Sequence, residues 1–128
     1  MAIPARYSHI DFTPTAAMAR AAARGLEYRE RGGGGGLTTQ EAGKLGIRSG
    51  VARATSLKNR DQLSPETVRR MDAFFKRHAG NEQIGEGLQP WQDRGYVAFL
   101  LWGGRPGRAF AAARVKQMNA ADRAADAD

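Results

Sequence analysis

The residues best suited to chemistry in this chain are few, and their spacing narrows what they could do. His9 and His78 are its two histidines. They lie far apart, and neither has a second imidazole or a carboxylate pair at the short spacings that zinc ligands adopt. Glu66 and Asp72 fall in the clearest helical segment, where they read as solvated helix charges. No Ser, His and Asp set or inward carboxylate pair accompanies them. The absence of cysteine removes disulfides, thiolate metal sites and a thiol nucleophile together. Gly32 to Gly36 share only composition with a phosphate cradle, because a P-loop needs Lys and then Ser or Thr after its glycines and a dinucleotide fingerprint needs a preceding strand. Gly103-Gly104-Arg105-Pro106-Gly107-Arg108 could hold an anion at a helix N-terminus, but a tight turn between two helices explains the same residues and is the preferred reading. The expectation is a non-enzyme with no catalytic residues, metal or cofactor.

Binding chemistry is better represented. Twenty Lys and Arg against thirteen Asp and Glu give a net charge of +7 over 128 residues, which favours polyanions or acidic protein surfaces as neighbours. Arginine dominates, and its planar fork suits phosphate and carboxylate alike. Residues 32 to 80 carry nine of the cations and four of the acids, so this middle region is the expected anion-facing part. Within it, residues 38 to 60 resemble a helix-turn-helix in outline, with Arg48, Arg53, Lys58 and Arg60 as the basic surface that would face DNA. Gly43 and Gly50 argue against that assignment, and an amphipathic helix pair with arginines on its solvated side has the same pattern.

The elements that must carry these groups read as all-α: a small irregular helical domain with an extended N-terminal arm and a Gly-rich tether. Regular β alternation is absent. Residues 1 to 12 read as the arm. A helix spans 13 to 31, with Thr13 as N-cap and Pro14 in its first turn. Residues 32 to 36 read as the tether, 37 to 118 as the helical domain, and 119 to 128 as a flexible tail. Within the domain, Thr38 and Glu41 form a capping-box pattern opening a short helix to Leu45; another helix follows from about Ser49 to Asn59. Ser64-Pro65-Glu66 starts the clearest helix, which Gly80 stops. Tyr96 to Trp102 make a short buried helix, Gly103-Gly104 a turn, and Pro106 to about Met118 the last helix. Phe74, Phe75, Tyr96, Phe99, Trp102 and Phe110 are the expected core. Tyr7, Ile10 and Phe12 of the arm, and Trp91 beyond it, are the expected partner-binding anchors, aromatic anchors being typical of interfaces. Folding of the arm back over its own domain is the competing expectation. No segment approaches the roughly 18 to 20 apolar residues of a membrane span, and no signal-peptide pattern opens the chain. Synthesis in the cytoplasm is expected.

Three segments together resemble a known family. They are Gly25-Leu26-Glu27-Tyr28-Arg29-Glu30-Arg31 before a glycine run; Gly50-Val51-Ala52-Arg53-Ala54 followed by Leu63 to Met71 with Phe74-Phe75 and Arg77-His78; and Gly95 to Arg108, which fits G-Y-x-A-[FW]-x-L-W-G-G-x-x-G-R. In these segments the chain is similar to a family of small tailed-bacteriophage proteins encoded near virion genes, over about residues 18 to 118. Relatives usually carry an acid after the paired glycines, where this chain has Arg105. The resemblance supplies a setting and no mechanism. It implies a non-enzymatic structural or accessory protein of the virion, present in many copies. Such a protein would dock on a larger tail, portal-adjacent or capsid protein and be displaced or released during DNA ejection. A DNA-binding phage protein using residues 38 to 60, or touching packaged DNA non-specifically, is the alternative.

Overall fold

The helix that opens at Ser64 shows how directly local chemistry sets this structure. In the computed structural model, which describes residues 3–31 and 47–127, the Ser64 hydroxyl oxygen accepts the backbone N–H of Thr67 at 3.1 Å and Pro65 fills the first turn. Five helices are described: α1 (Ala16–Arg31), α2 (Ile47–Lys58), α3 (Pro65–Arg77), α4 (Arg94–Leu101) and α5 (Gly104–Asp126). Three short 3-10 turns accompany them, and no strand occurs among the described residues. The protein is all-α in this structure.

α3 buries Val68, Met71, Phe74 and Phe75 along one face, the stripe that a 3.6-residue period requires. That stripe meets α4 and α5. Phe74 stacks on Trp102 with centroids 4.7 Å apart, and Phe75 meets Phe99 edge to face at 5.8 Å. Phe110 is buried nearby, while Tyr96 is only partly covered at the edge of the core. α4 starts two residues earlier than its apolar run, because Asp93 caps it by accepting the N–H of Tyr96 at 2.9 Å. The other Asp93 carboxylate oxygen accepts the N–H of Gly85 at 2.6 Å, which ties the preceding loop to the helix.

Between α4 and α5 the chain reverses at Gly103 (φ 110°) and Gly104 (φ 61°), left-handed positions where a side chain would be strained. α5 then runs to Asp126. The expectation of a frayed tail after Met118 is therefore corrected. Its alanines favour helix, and Asp122 is held from outside by Tyr7, Arg6 and Arg69.

The start of α1 is also corrected, from Thr13 to Thr15. The Asp11 carboxylate already accepts the Thr13 N–H at 2.9 Å, and the Thr15 hydroxyl oxygen accepts the Met18 N–H at 3.2 Å instead. α1 packs against α2, α4 and α5. Gly25 is needed there, because a Cβ at that position would stand 2.8 Å from the backbone nitrogen of Leu101. The helix before residue 32 and the helices after residue 46 thus share one core. The glycine tether at 32–36, the capping box at Thr38 and Glu41, and the short helix to Leu45 lie outside the described residues.

Candidate docking cleft

The N-terminal segment does not present its apolar residues to a partner. Ala5–Tyr7 forms a 3-10 turn rather than extended chain. Tyr7, Ile10 and Phe12 all sink into the protein's own core, Phe12 with no exposed surface. The Tyr7 hydroxyl donates to Asp122 at 2.6 Å, and the Phe12 carbonyl accepts the Leu63 N–H at 3.0 Å. Assigning these three as anchors for another protein is corrected: their side chains belong to the protein's own core. Trp91 is partly buried in an internal cluster, edge to face with Tyr28 at 6.3 Å and beneath the Arg31 guanidinium at 4.1 Å.

The expected basic surface on residues 48 to 60 is dispersed as well. Arg53 is half-buried beside a recess lined by Ile3, Gln62 and Ser64, with its Nε enclosed and unpartnered. Burial, and then the neighbouring Arg70 charge, lower its pKa below the usual guanidinium range. Arg60 takes a left-handed backbone (φ 54°) and its Nε donates to the Pro14 carbonyl at 2.8 Å. Lys58 is exposed at the end of α2, and the side chain of Arg48 lies outside the described residues. α2 buries Ala54 and Leu57 in the common core. With Arg53 and Arg60 turned onto the protein itself, these residues do not form one uninterrupted DNA-facing row.

The charged, concave surface lies elsewhere. A cleft of about 570 Å³ opens between α1, the first turn of α5 and the chain around residues 82–84. α1 lines one wall with two residue pairs, each one helical turn apart: Ala17 with Ala21, and Arg20 with Arg24. The alanines keep that wall low, and the arginines stand exposed above it. Tyr96, Phe99 and Leu100 of α4 supply apolar floor, and Arg105 and Pro106 form the opposite rim. Ile84, at 40% exposure, lines the mouth; with Leu88, at 46%, it is one of the exposed large apolar side chains among the described residues.

Electrostatics in the cleft are unbalanced. Glu82 is the only carboxylate among the described residues lining it, and it is already shared by Arg105 and by Arg108, the latter at 2.7 Å. Hydrogen bonds from Arg108 first and Arg105 second hold the Glu82 carboxyl below the usual carboxylate range. No ion pair reaches Arg20 or Arg24 among the described residues. Like charges one turn apart on a helix cost a few tenths of a kcal/mol, and no ion pair among the described residues offsets that cost.

Sequence reasoning missed this site. The one available signal was the Arg20–Arg24 spacing on an alanine-rich helix, and it becomes meaningful only once α4 and α5 are placed opposite. The Gly103-Gly104 turn, weighed above as an anion site or a helix connection, is the connection; its Arg105 forms part of the rim. Among the described residues no group of three or more His, Cys, Asp or Glu is placed to hold a metal ion, and no helix is long and apolar enough to cross a membrane. No family model, no curated protein and no solved structure matches this chain, so its function has to be argued from the cleft, its charge and the sequence resemblance.

Proposed function

We propose that this protein is a non-enzymatic accessory component of a bacteriophage virion. It docks in several copies on a larger protein of the tail or head–tail junction and is displaced or released when DNA leaves the particle. The phage setting comes from the sequence resemblance carried by Gly25 to Arg31, Leu63 to His78 and Gly95 to Arg108. The observation that carries docking is the cleft, where Arg20 and Arg24, without an ion pair among the described residues, stand beside apolar side chains that include the exposed Ile84. Surfaces that combine an apolar centre with a charged rim are typical of protein interfaces. The docking surface proposed here is this cleft, in place of the arm.

Quantitative mass spectrometry of gradient-purified particles tests the reading. The protein should be present at a fixed ratio to a symmetric structural protein and should remain after nuclease treatment. Its absence from particles, with the intracellular pool intact, would refute the virion role and favour the DNA-binding alternative. Loss on nuclease treatment would place it on nucleic acid adhering outside the particle instead.

A further inference from the structure

We infer that the cleft between α1 and the start of α5 receives an acidic, amphipathic helix of a partner protein. The inference rests on the docking role proposed above and goes further, naming the chemistry of what docks. Three features select that occupant. The first is charge: Arg20, Arg24 and Arg105 rim a site whose one carboxylate among the described residues, Glu82, is already engaged by Arg105 and Arg108. Carboxylates from outside would form charge-assisted and, with guanidinium, bidentate hydrogen bonds.

The second feature is spacing. Arg20 and Arg24 lie one turn apart on α1, and the axial rise per turn of an α-helix is about 5.4 Å. A second helix lying along α1 presents acids at positions i and i+4 with that same repeat. The third is shape. Ala17 and Ala21 leave the α1 wall low enough for a helix axis to approach at the close end of the usual range of about 8 to 10 Å. The exposed Ile84 at the mouth and the partly covered Tyr96, above a floor of Phe99 and Leu100 that the core already buries, then meet apolar residues from the face between the acids, in the manner of helix-in-groove recognition.

A nucleic acid would satisfy the arginines but would leave the exposed Ile84 and the partly covered Tyr96 without an apolar partner, so a protein segment is the better fit.

The test uses the full-length protein and a fluorescein-labelled, capped peptide of about 15 residues, long enough to populate helix. Glu occupies successive i and i+4 positions on one flank, and Leu occupies the adjacent face. Three comparisons are read by fluorescence anisotropy: the same peptide with Gln for Glu, an Arg20→Ala/Arg24→Ala double variant, and a labelled DNA duplex. Removing either set of charges should weaken binding about tenfold or more, corresponding to roughly 1.4 kcal/mol. An Arg20→Glu/Arg24→Glu variant should bind poorly to the Glu peptide and recover affinity for a Lys version. Arg77→Ala, at the end of α3 outside the cleft, should change nothing. Equal binding of the Gln peptide, indifference to the arginine substitutions, or a preference for the duplex that depends on the same arginines would each overturn the inference. These outcomes are separate from particle composition: a protein found in virions that ignores acidic helices keeps the docking role and loses this partner.

Discussion

The junction between the N-terminal segment and α5 uses nearly the same residue types as the cleft, yet the two regions have opposite characters. At the junction, the Tyr7 hydroxyl and the guanidiniums of Arg6 and Arg69 converge on Asp122, and Arg69 also reaches Asn119 at 3.0 Å. Phe12 beneath them is wholly enclosed. In the cleft, aromatic and aliphatic side chains again lie under arginines, but no carboxylate among the described residues pairs with Arg20 or Arg24, and Ile84 at the mouth stays exposed. Burying apolar surface contributes about 25 cal/mol per Å², and at the junction that gain is realised within the chain. The difference teaches that an aromatic beside an arginine is no sign of an interface by itself; what distinguishes an interface is whether the charges are answered.

Four substitutions would break or sharpen this contrast. Phe12→Ala should have the largest effect, about 3 to 5 kcal/mol of stability, enough to unfold much of a small domain. Denaturant unfolding followed by circular dichroism measures it, and a loss under 1 kcal/mol would show that the N-terminal segment is dispensable to the core. Next, Gly25→Ala should destabilise by about 1 to 3 kcal/mol, because its new methyl would meet the Leu101 backbone at 2.8 Å. The gain of roughly 1 kcal/mol in helix propensity is too small to reverse the sign. Thermal melting of this variant reports the result, and an unchanged or raised midpoint would mean that α1 and α4 can separate freely.

Asp122→Asn is milder and depends on pH. The Tyr7 hydrogen bond first, then Arg6 and Arg69, lower the Asp122 pKa from 3.8. The stability linked to the depressed value is fully present above the unfolded-state pKa of about 3.9 and disappears as pH falls through the folded value. The wild type should therefore melt higher than the variant near neutrality, and the two curves should converge in acid. Parallel melting curves across that range would show that Asp122 adds nothing through its charge. Smallest of all, Arg20→Ala with Arg24→Ala should leave stability within about 0.5 kcal/mol, since both side chains are exposed and have no ion pair among the described residues. Retained melting with lost acidic-peptide binding would set the cleft apart from the junction; a large loss of stability would show that these arginines serve the fold.

Much of the architecture was legible because its signals are local. Ser64-Pro65-Glu66 announces a helix start within three residues, and Gly103-Gly104 requires a reversal at backbone angles that other residues avoid. The spacing of Phe74, Phe75, Phe99, Trp102 and Phe110 marks a core that does assemble. What the sequence hid depends on distant partners. Asn119 to Asp128 reads as a loose end until Tyr7 and Arg69 are brought to Asp122. The apolar residues of the N-terminal segment were visible, but their destination, the chain's own core, was not. Thr13 and Thr15 are equally good caps by type; Asp11 decides between them by taking the Thr13 N–H. The cleft is harder still, since its walls come from three separate stretches and its floor shares the helix that builds the core.

The Tyr7–Asp122 hydrogen bond spans 115 positions, and this separation sets the entropic cost of closing it. Contacts between neighbouring elements, such as α4 with α5 across their glycine turn, close short loops and can form early. The clasp at Asp122 must instead gather nearly the entire chain, at an entropic cost that grows with the logarithm of loop length. Opening the clasp alone would free the Tyr7 hydroxyl while the Phe12 carbonyl keeps the Leu63 N–H and the Asp11 carbonyl keeps Arg114, a local opening of the kind that native-state hydrogen exchange resolves. The most deeply buried ring of the N-terminal segment is thus fastened to the body of the protein at more than one point along the chain.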